Sequence, residues 1–304
     1  MTNRIGYCCI SLGINEGLSK KQEILVNRGM VKKTFESKGL PYVSELIINN
    51  LKDTIKILDY NIKNNIKIYR LSSDSFPWMS EYNFMELPNF NTIKNLLSDI
   101  GNKVKTNDLR VSYHPGPFNV LASENNTVVK KTIFELNQHA ELMDLMGLDQ
   151  TTYYPINIHI NTTKKTRELA AKRFCDNFNL LSESCKKRLT IENDDKLSQY
   201  SVKILYDLIH KNIGIPIVFD QLHFKLGPQD LSMEESLRLA LSTWKTKPLT
   251  HMASSAKNEN PNGLERSHAD YIYEKIETFG LIFDTEIESK AKDLAVLKYQ
   301  KDFS

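Results

Sequence analysis

Five of the seven histidines share their neighbourhoods with carboxylates, and each of these residues stands in or just after a short apolar run. His114 follows LRVSY, His159 lies inside PINIHI, and His251 lies inside LTHMA. Glu192 ends RLTIE, Asp220 ends IPIVFD with His223 three residues on, and Glu286 and Glu288 close the last apolar run. His268 falls in the loop that follows His251. Imidazole and carboxylate are the ligands that zinc, manganese and iron accept. Gathering that many polar groups in one place without partners would cost hydration that only cations or hydrogen bonds restore. The donors exceed what one ion needs, so two or three divalent ions are expected. Ions ~3.5–4 Å apart suit phosphodiester hydrolysis, where they activate water and clamp the phosphate oxygens. Barrel sugar isomerases also use paired ions, so the donors alone leave the reaction open. His139 and His210 fall in helical segments and read as structural, His139 behind a strand end and His210 on a solvated face.

For these residues to meet, the elements carrying them must point one way. Eight short strand-like runs occur, at 5–12, 66–72, 109–114, 155–160, 188–192, 215–220, 249–253 and 281–286. Brevity, apolar content and polar boundaries suit buried parallel strands. Between them, Ile47, Leu51, Ile55, Leu58 and Ile62 form one helical stripe. Segments 89–99, 127–146, 166–181, 202–211, 233–244 and 268–279 read as helices too. This alternation predicts an α/β fold, a single TIM-type (β/α)8 barrel domain over 1–304, with the metal site at the C-terminal ends of the strands. An open doubly wound sheet is the alternative, but no Gly-rich phosphate loop follows any strand.

Hydrophobic residues make up 40% and charged residues 25% of the 304, enough for a sizeable core. The formal charge of +3 is compatible with nucleic acid without indicating it, and the scattered lysine pairs read as solvated helix faces. Four cysteines without a CxxC pair point to a reduced, intracellular, soluble protein. No run approaches the ~20 apolar residues of a membrane span, so no membrane partner is expected. The N-terminus lacks a signal-peptide pattern. Nothing separates a cytoplasmic from a nuclear location, and a monomer is expected.

Longer motifs add a resemblance. RIGYCCISL, YRLSSDSFPW, SYHPGPFNVL, INIHI, RLTIENDD, IPIVFDQLHF, HMASS, SHADYI and ESKAKDLAVL occur in that order across nearly the whole chain. Together they make the sequence resemble the UV damage endonucleases, metal-dependent β/α barrel nucleases. The resemblance implies a DNA repair enzyme that nicks UV-damaged duplex DNA immediately 5′ of cyclobutane pyrimidine dimers and 6-4 photoproducts, leaving a 3′-hydroxyl. It implies metal ligands at His114, His159, Glu192, Asp220, His223, His251, His268 and Glu288, with Mn²⁺ the usual ion and Zn²⁺ or Mg²⁺ as alternatives. Glu192 and Lys257 are the implied catalytic residues, with Asn193 and Asp194 orienting Glu192. Tyr7, Arg70, Pro117, Phe118 and Lys257 are implied to face DNA or the lesion, though Arg70 also suits a buried ion pair.

Two positions depart from the family pattern. Pro117 and Phe118 stand where Gln followed by Tyr or Phe is usual; Pro117 stiffens the loop and Phe118 keeps an aromatic wedge. Leu249 stands where a metal-bridging lysine is usual, and the nearest substitute, Lys247, is separated from it by Pro248. An abasic-site endonuclease, a sugar isomerase on a related barrel, and a damage-binding protein with impaired chemistry remain as competing readings.

Overall fold

The computed structural model describes residues 3–303. Eight parallel strands alternate with helices. They are β1 (Ile5–Cys8), β2 (Ile68–Arg70), β3 (Arg110–Ser112), β4 (Ile156–Ile158), β5 (Leu189–Glu192), β6 (Ile217–Asp220), β7 (Leu249–Met252) and β8 (Asp284–Ile287). Hydrogen-bonded neighbours run β3-β2-β1-β8-β7-β6-β5-β4. The remaining gap is bridged where Tyr113 N donates to Pro155 O at 3.0 Å and Asn157 N to Tyr113 O at 2.9 Å, which brings β3 against β4 and closes the barrel. Seven strands lie inside their expected runs, and β8 extends one residue past its own, to Ile287.

Around the strands lie α1 (Lys32–Lys63), α2 (Phe90–Thr106), α3 (Asn126–Leu145), α4 (Arg167–Phe178), α5 (Glu183–Lys186), α6 (Val202–Leu205), α7 (Lys211–Ile213), α8 (Gln221–Leu226), α9 (Met233–Ser242) and α10 (Asp293–Phe303). α2 shows why such segments coil and dock: Ile93, Leu97, Ile100 and Val104 recur at helical spacing and are fully buried. Gly101 lies on the same face, where an added Cβ would sit 1.7 Å from Met146 O, so α2 can approach the end of α3 only with glycine there. Ser232 and Glu235 form a capping box that starts α9. Between α6 and α7 the chain widens into a π turn, Tyr206–His210. Among the described residues, no helix is long and apolar enough to cross a membrane.

One expected helix is absent. Residues 268–279 follow an irregular path, because their polar backbone groups are taken up by distant partners. Ala269 N donates to Ser254 O at 2.7 Å, Asp270 N to Glu259 Oε1 at 2.8 Å, Tyr273 N to Ser254 Oγ at 3.0 Å and Ile276 N to the Tyr299 hydroxyl at 2.9 Å. The apolar spacing of this segment serves loop packing instead.

The barrel interior is stacked in tiers. Leu249 pairs in register with Asp284, and His251 with Glu286. On the Leu249 tier, Ile68, Val218, Trp244 and Leu249 form a small apolar cluster of their own. Beside it, at the strands' N-terminal end, Asp284 is ringed by Arg4 at 2.8 Å, Arg110 at 3.0 Å and Lys247 at 2.5 Å. Lys247 therefore belongs to the lower end, where it cannot substitute for the lysine absent at position 249.

Candidate metal centre

Above the apolar tier, the strand C-terminal ends bring the polar residues together. Glu192, the last residue of β5, is 1% exposed and stands at the hub. His251 Nδ1 lies 3.0 Å from its Oε2, His114 Nε2 3.3 Å and His159 Nε2 3.5 Å, while His223 Nδ1 lies 3.1 Å from Oε1. Two three-donor groups result, His114–Glu192–His251 and His159–Glu192–His223, and they share the Glu192 carboxylate.

Outer partners fix these rings. His159 Nδ1 lies 3.1 Å from Asp194 Oδ1, and His251 Nε2 lies 3.3 Å from Glu286 Oε2. A carboxylate behind an imidazole sets which nitrogen faces forward and raises its basicity as a ligand. His114 turns Nδ1 to Pro115 O at 3.2 Å, leaving Nε2 for Glu192. Asn157, on β4, donates through Nδ2 to Glu192 Oε2 at 2.5 Å and accepts from Thr190 Oγ1 at 2.9 Å. Asn157 is thus the amide that orients Glu192, a role expected of Asn193 and Asp194. Asn193 instead holds β6, since Asp220 N donates to its Oδ1 at 2.8 Å and its own Nδ2 donates to Asp220 O at 3.1 Å.

The electrostatics mark a dense site. Burial opposes charge on Glu192, yet the imidazoles of His251, His159, His114 and His223 hold its carboxyl well below the usual range. Burial likewise opposes a proton on His251, but Glu192 draws that imidazole up to about 10. Asp220 and Glu192 pull His223 well above its ordinary value against the same penalty. For His114, burial wins and the value falls.

The residues present fit divalent cations. Glu192 Oε1, Asp220 Oδ2 and His251 Nδ1 are buried without a hydrogen-bond partner, and buried polar groups of that kind call for one. All face a set of imidazoles and carboxylates, the donors such ions take. Asp220 is fully buried with Oδ1 3.9 Å from His223 Nδ1. Glu288 lies 3.4 Å from His251 and 3.9 Å from His268, outside the two three-donor groups.

The sequence profile described as UV-endonuclease UvdE matches residues 3–304. The chain belongs to the UV-endonuclease family. It is similar to a UV DNA damage endonuclease of Bacillus cereus (strain Q1), 34% identical over 266 residues, covering 84% of this chain and 81% of the relative. A crystal structure of SacUVDE superposes with a TM-score of 0.83 at 30% identity, over 98% of this chain and 97% of that one. A D-tagatose 3-epimerase-like protein shares the barrel at a TM-score of 0.56 and 14% identity, covering 80% of this chain and 89% of that one, and at that distance shows the fold alone. The chain is accordingly a UV-damage endonuclease.

Within this UV endonuclease, the residues expected to meet DNA divide. Phe118 is 89% exposed. It rides a turn closed by Asn119 N donating to Gly116 O at 3.1 Å, with Pro117 exposed beside it. That turn is fastened to α3 by Asn119 Nδ2 on Glu135 at 2.8 Å and by Val120 N on Thr132 Oγ1 at 3.0 Å. Lys257 is exposed in the short turn Ala256–Asn258 and pairs with Glu265 at 3.1 Å. Tyr7 cannot face a lesion: it is fully buried, tilted on Tyr69, with its hydroxyl on Asn61 Oδ1 of α1 at 2.7 Å. Alternation along β1 turns Tyr7 outward to the helices and sends Cys8 inward. Arg70 also has no surface for a phosphate. It is buried, with Nε on Glu286 Oε2 at 2.7 Å, Nη1 on Glu288 Oε1 at 2.5 Å and Nη2 2.8 Å from His251 Nε2. His139 packs edge-on against Tyr113 behind β3 and bonds Glu135 O, and His210 stacks on Tyr206.

Proposed function

We propose that the chain is a metal-dependent endonuclease that nicks duplex DNA immediately 5′ of cyclobutane pyrimidine dimers and 6-4 photoproducts, leaving a 3′-hydroxyl. The observation that carries this reading is Glu192, one buried carboxylate shared by two three-donor groups at the barrel mouth. His114, His251, His159, His223 and Glu192 would hold a pair of divalent ions, with Asp220, Glu288 and His268 at their edges. Mn²⁺ is the proposed ion. Such ions supply Lewis acidity for a phosphoryl group and lower the pKa of water.

The chain's own groups divide the remaining work. Glu192 stays ionised through neutral pH because the imidazoles hold it so, which makes it a ligand and not a proton donor. Asp194 and Glu286 keep the forward nitrogens of His159 and His251 aimed at the hub. Phe118, exposed on its turn, offers a face for stacking or for wedging between base steps. Lys257 can exchange Glu265 for a backbone phosphate, a charge contact suited to holding the strand.

The test is a duplex with one defined pyrimidine dimer, incubated with protein and Mn²⁺ and resolved at nucleotide resolution. The expected product is a single nick directly 5′ of the dimer with an extendable 3′ end. Cutting undamaged duplex equally well, or no cutting with any divalent ion, would overturn the proposal. Glu192→Gln is expected to abolish nicking while DNA binding persists.

A further inference from the structure

Arg70 sits between two carboxylates beside the two three-donor groups. From β2 its guanidinium reaches Glu286 Oε2 and Glu288 Oε1 at the end of β8, and it approaches His251 Nε2 at 2.8 Å. Ser112 closes the cage from β3 by hydrogen bonding the other oxygen of Glu286. Both carboxylates that Arg70 engages would otherwise be free to act as donors beside the first two groups, with His268 3.9 Å from Glu288. With Arg70 on Glu288 Oε1, the oxygen nearest His251, the other oxygen of Glu288 faces His268 at 3.9 Å. Position 249, one tier below His251 on β7, adds no donor, since Leu249 packs on Ile68, Val218 and Trp244.

Charge balance points the same way. Glu192, Asp194, Asp220, Glu286 and Glu288 put five carboxylates in or around the centre, all buried or nearly so. Two divalent ions and one guanidinium carry five positive charges. A third divalent ion would leave a surplus in a place where unbalanced charge is costly. Arginine suits the role because its planar fork binds two carboxylates at once and never deprotonates.

We infer that Arg70 is the fixed third cation of this centre, so that the chain takes two divalent ions and excludes a third. This rests on the metal-centre reading above. The experiment is metal content per chain, measured by elemental analysis after loading with Mn²⁺ and removing excess ion on a sizing column, for the natural chain, Arg70→Lys and Arg70→Met. Two ions per chain are expected for the natural protein and for Arg70→Lys. Three are expected for Arg70→Met, where Glu286 and Glu288 are released to act as ligands beside His268. Three ions in the natural protein, or two in Arg70→Met, would overturn the assignment. Fewer than two in the natural protein would overturn the paired-ion reading itself. Should Arg70→Met not fold, Arg70→Gln, which keeps a planar donor but no charge, takes its place and the natural protein's stoichiometry still decides.

Discussion

The barrel carries buried charge at both ends, and the two ends treat it differently. At the lower end, Asp284 accepts from Arg4, Arg110 and Lys247. Arg110 is fully buried yet spreads its remaining donors over Tyr153 O at 2.7 Å, Pro248 O at 3.0 Å and Thr152 O at 3.3 Å. At the upper end, Glu192, Asp220 and His251 each keep a buried atom with no hydrogen-bond partner. β8 contributes to both ends, Asp284 below and Glu286 above. Satisfied charge fastens strands and needs nothing from outside. Unsatisfied charge at the same depth is what the proposed ions would answer.

The sharpest way to break this contrast is Asp284→Asn. Stranding Arg110 should destabilise the fold by ~3–5 kcal/mol, read by urea unfolding. Burial tends to raise the Asp284 carboxyl, but Arg4, Arg110 and Lys247 hold it below its ordinary value. A depressed carboxyl contributes stability that is present above its unfolded value, about 4, and is lost as pH falls through the lower folded value. The natural protein should therefore lose stability in that acid window, and Asp284→Asn should lose less of it. A variant as stable as the natural chain would show that the lower cluster does not fasten the barrel.

At the upper end the matching change should touch ligand and spare the fold. Asn157→Ala removes the amide that orients Glu192 and should weaken Mn²⁺ binding ~10–100-fold, measured by competition with a chelator. Unchanged affinity would show that Glu192 needs no such support. The smallest effect is expected at the rim. Phe118→Ala should cost ~1–3 kcal/mol of binding to damaged duplex by lost stacking. It should leave metal content and unfolding within about 0.5 kcal/mol of the natural chain, as exposed positions do. An equal loss on damaged and undamaged duplex would remove its role in probing.

How much of this was legible follows from range. All eight strands showed in sequence because a buried parallel strand is a short apolar run with sharp ends, a purely local property. The hub residues were legible for the same reason, since a strand's last residue in a β/α barrel faces the common mouth. What failed depended on distant partners. Residues 268–279 carry helical spacing, but Ser254, Glu259 and Tyr299 claim their backbone donors. Tyr7 went astray by parity, because the sequence shows that β1 is buried but not which face of it lines the barrel. Asn157 carries no local signal, and only its position behind Glu192 gives it a role; Glu286 stood out as a strand-end carboxylate, but its place behind His251 required the fold. That Leu249 is no ligand could be read from its side chain; that Lys247 serves Asp284 required the fold.

The turn carrying Phe118 has a kinetic consequence. Were Phe118 the wedge proposed above, the fastening of its turn to Glu135 and Thr132 would bring the aromatic to DNA on an ordered turn, with little loop to immobilise at each encounter. Residence at any base step is then set by how readily that step yields. Intact stacking would resist such a wedge, whereas a photoproduct, already weakly stacked, would give way at less cost. On that proposal, lesion search would be a mechanical survey of the duplex in which the protein is the rigid gauge and the DNA is the part that bends.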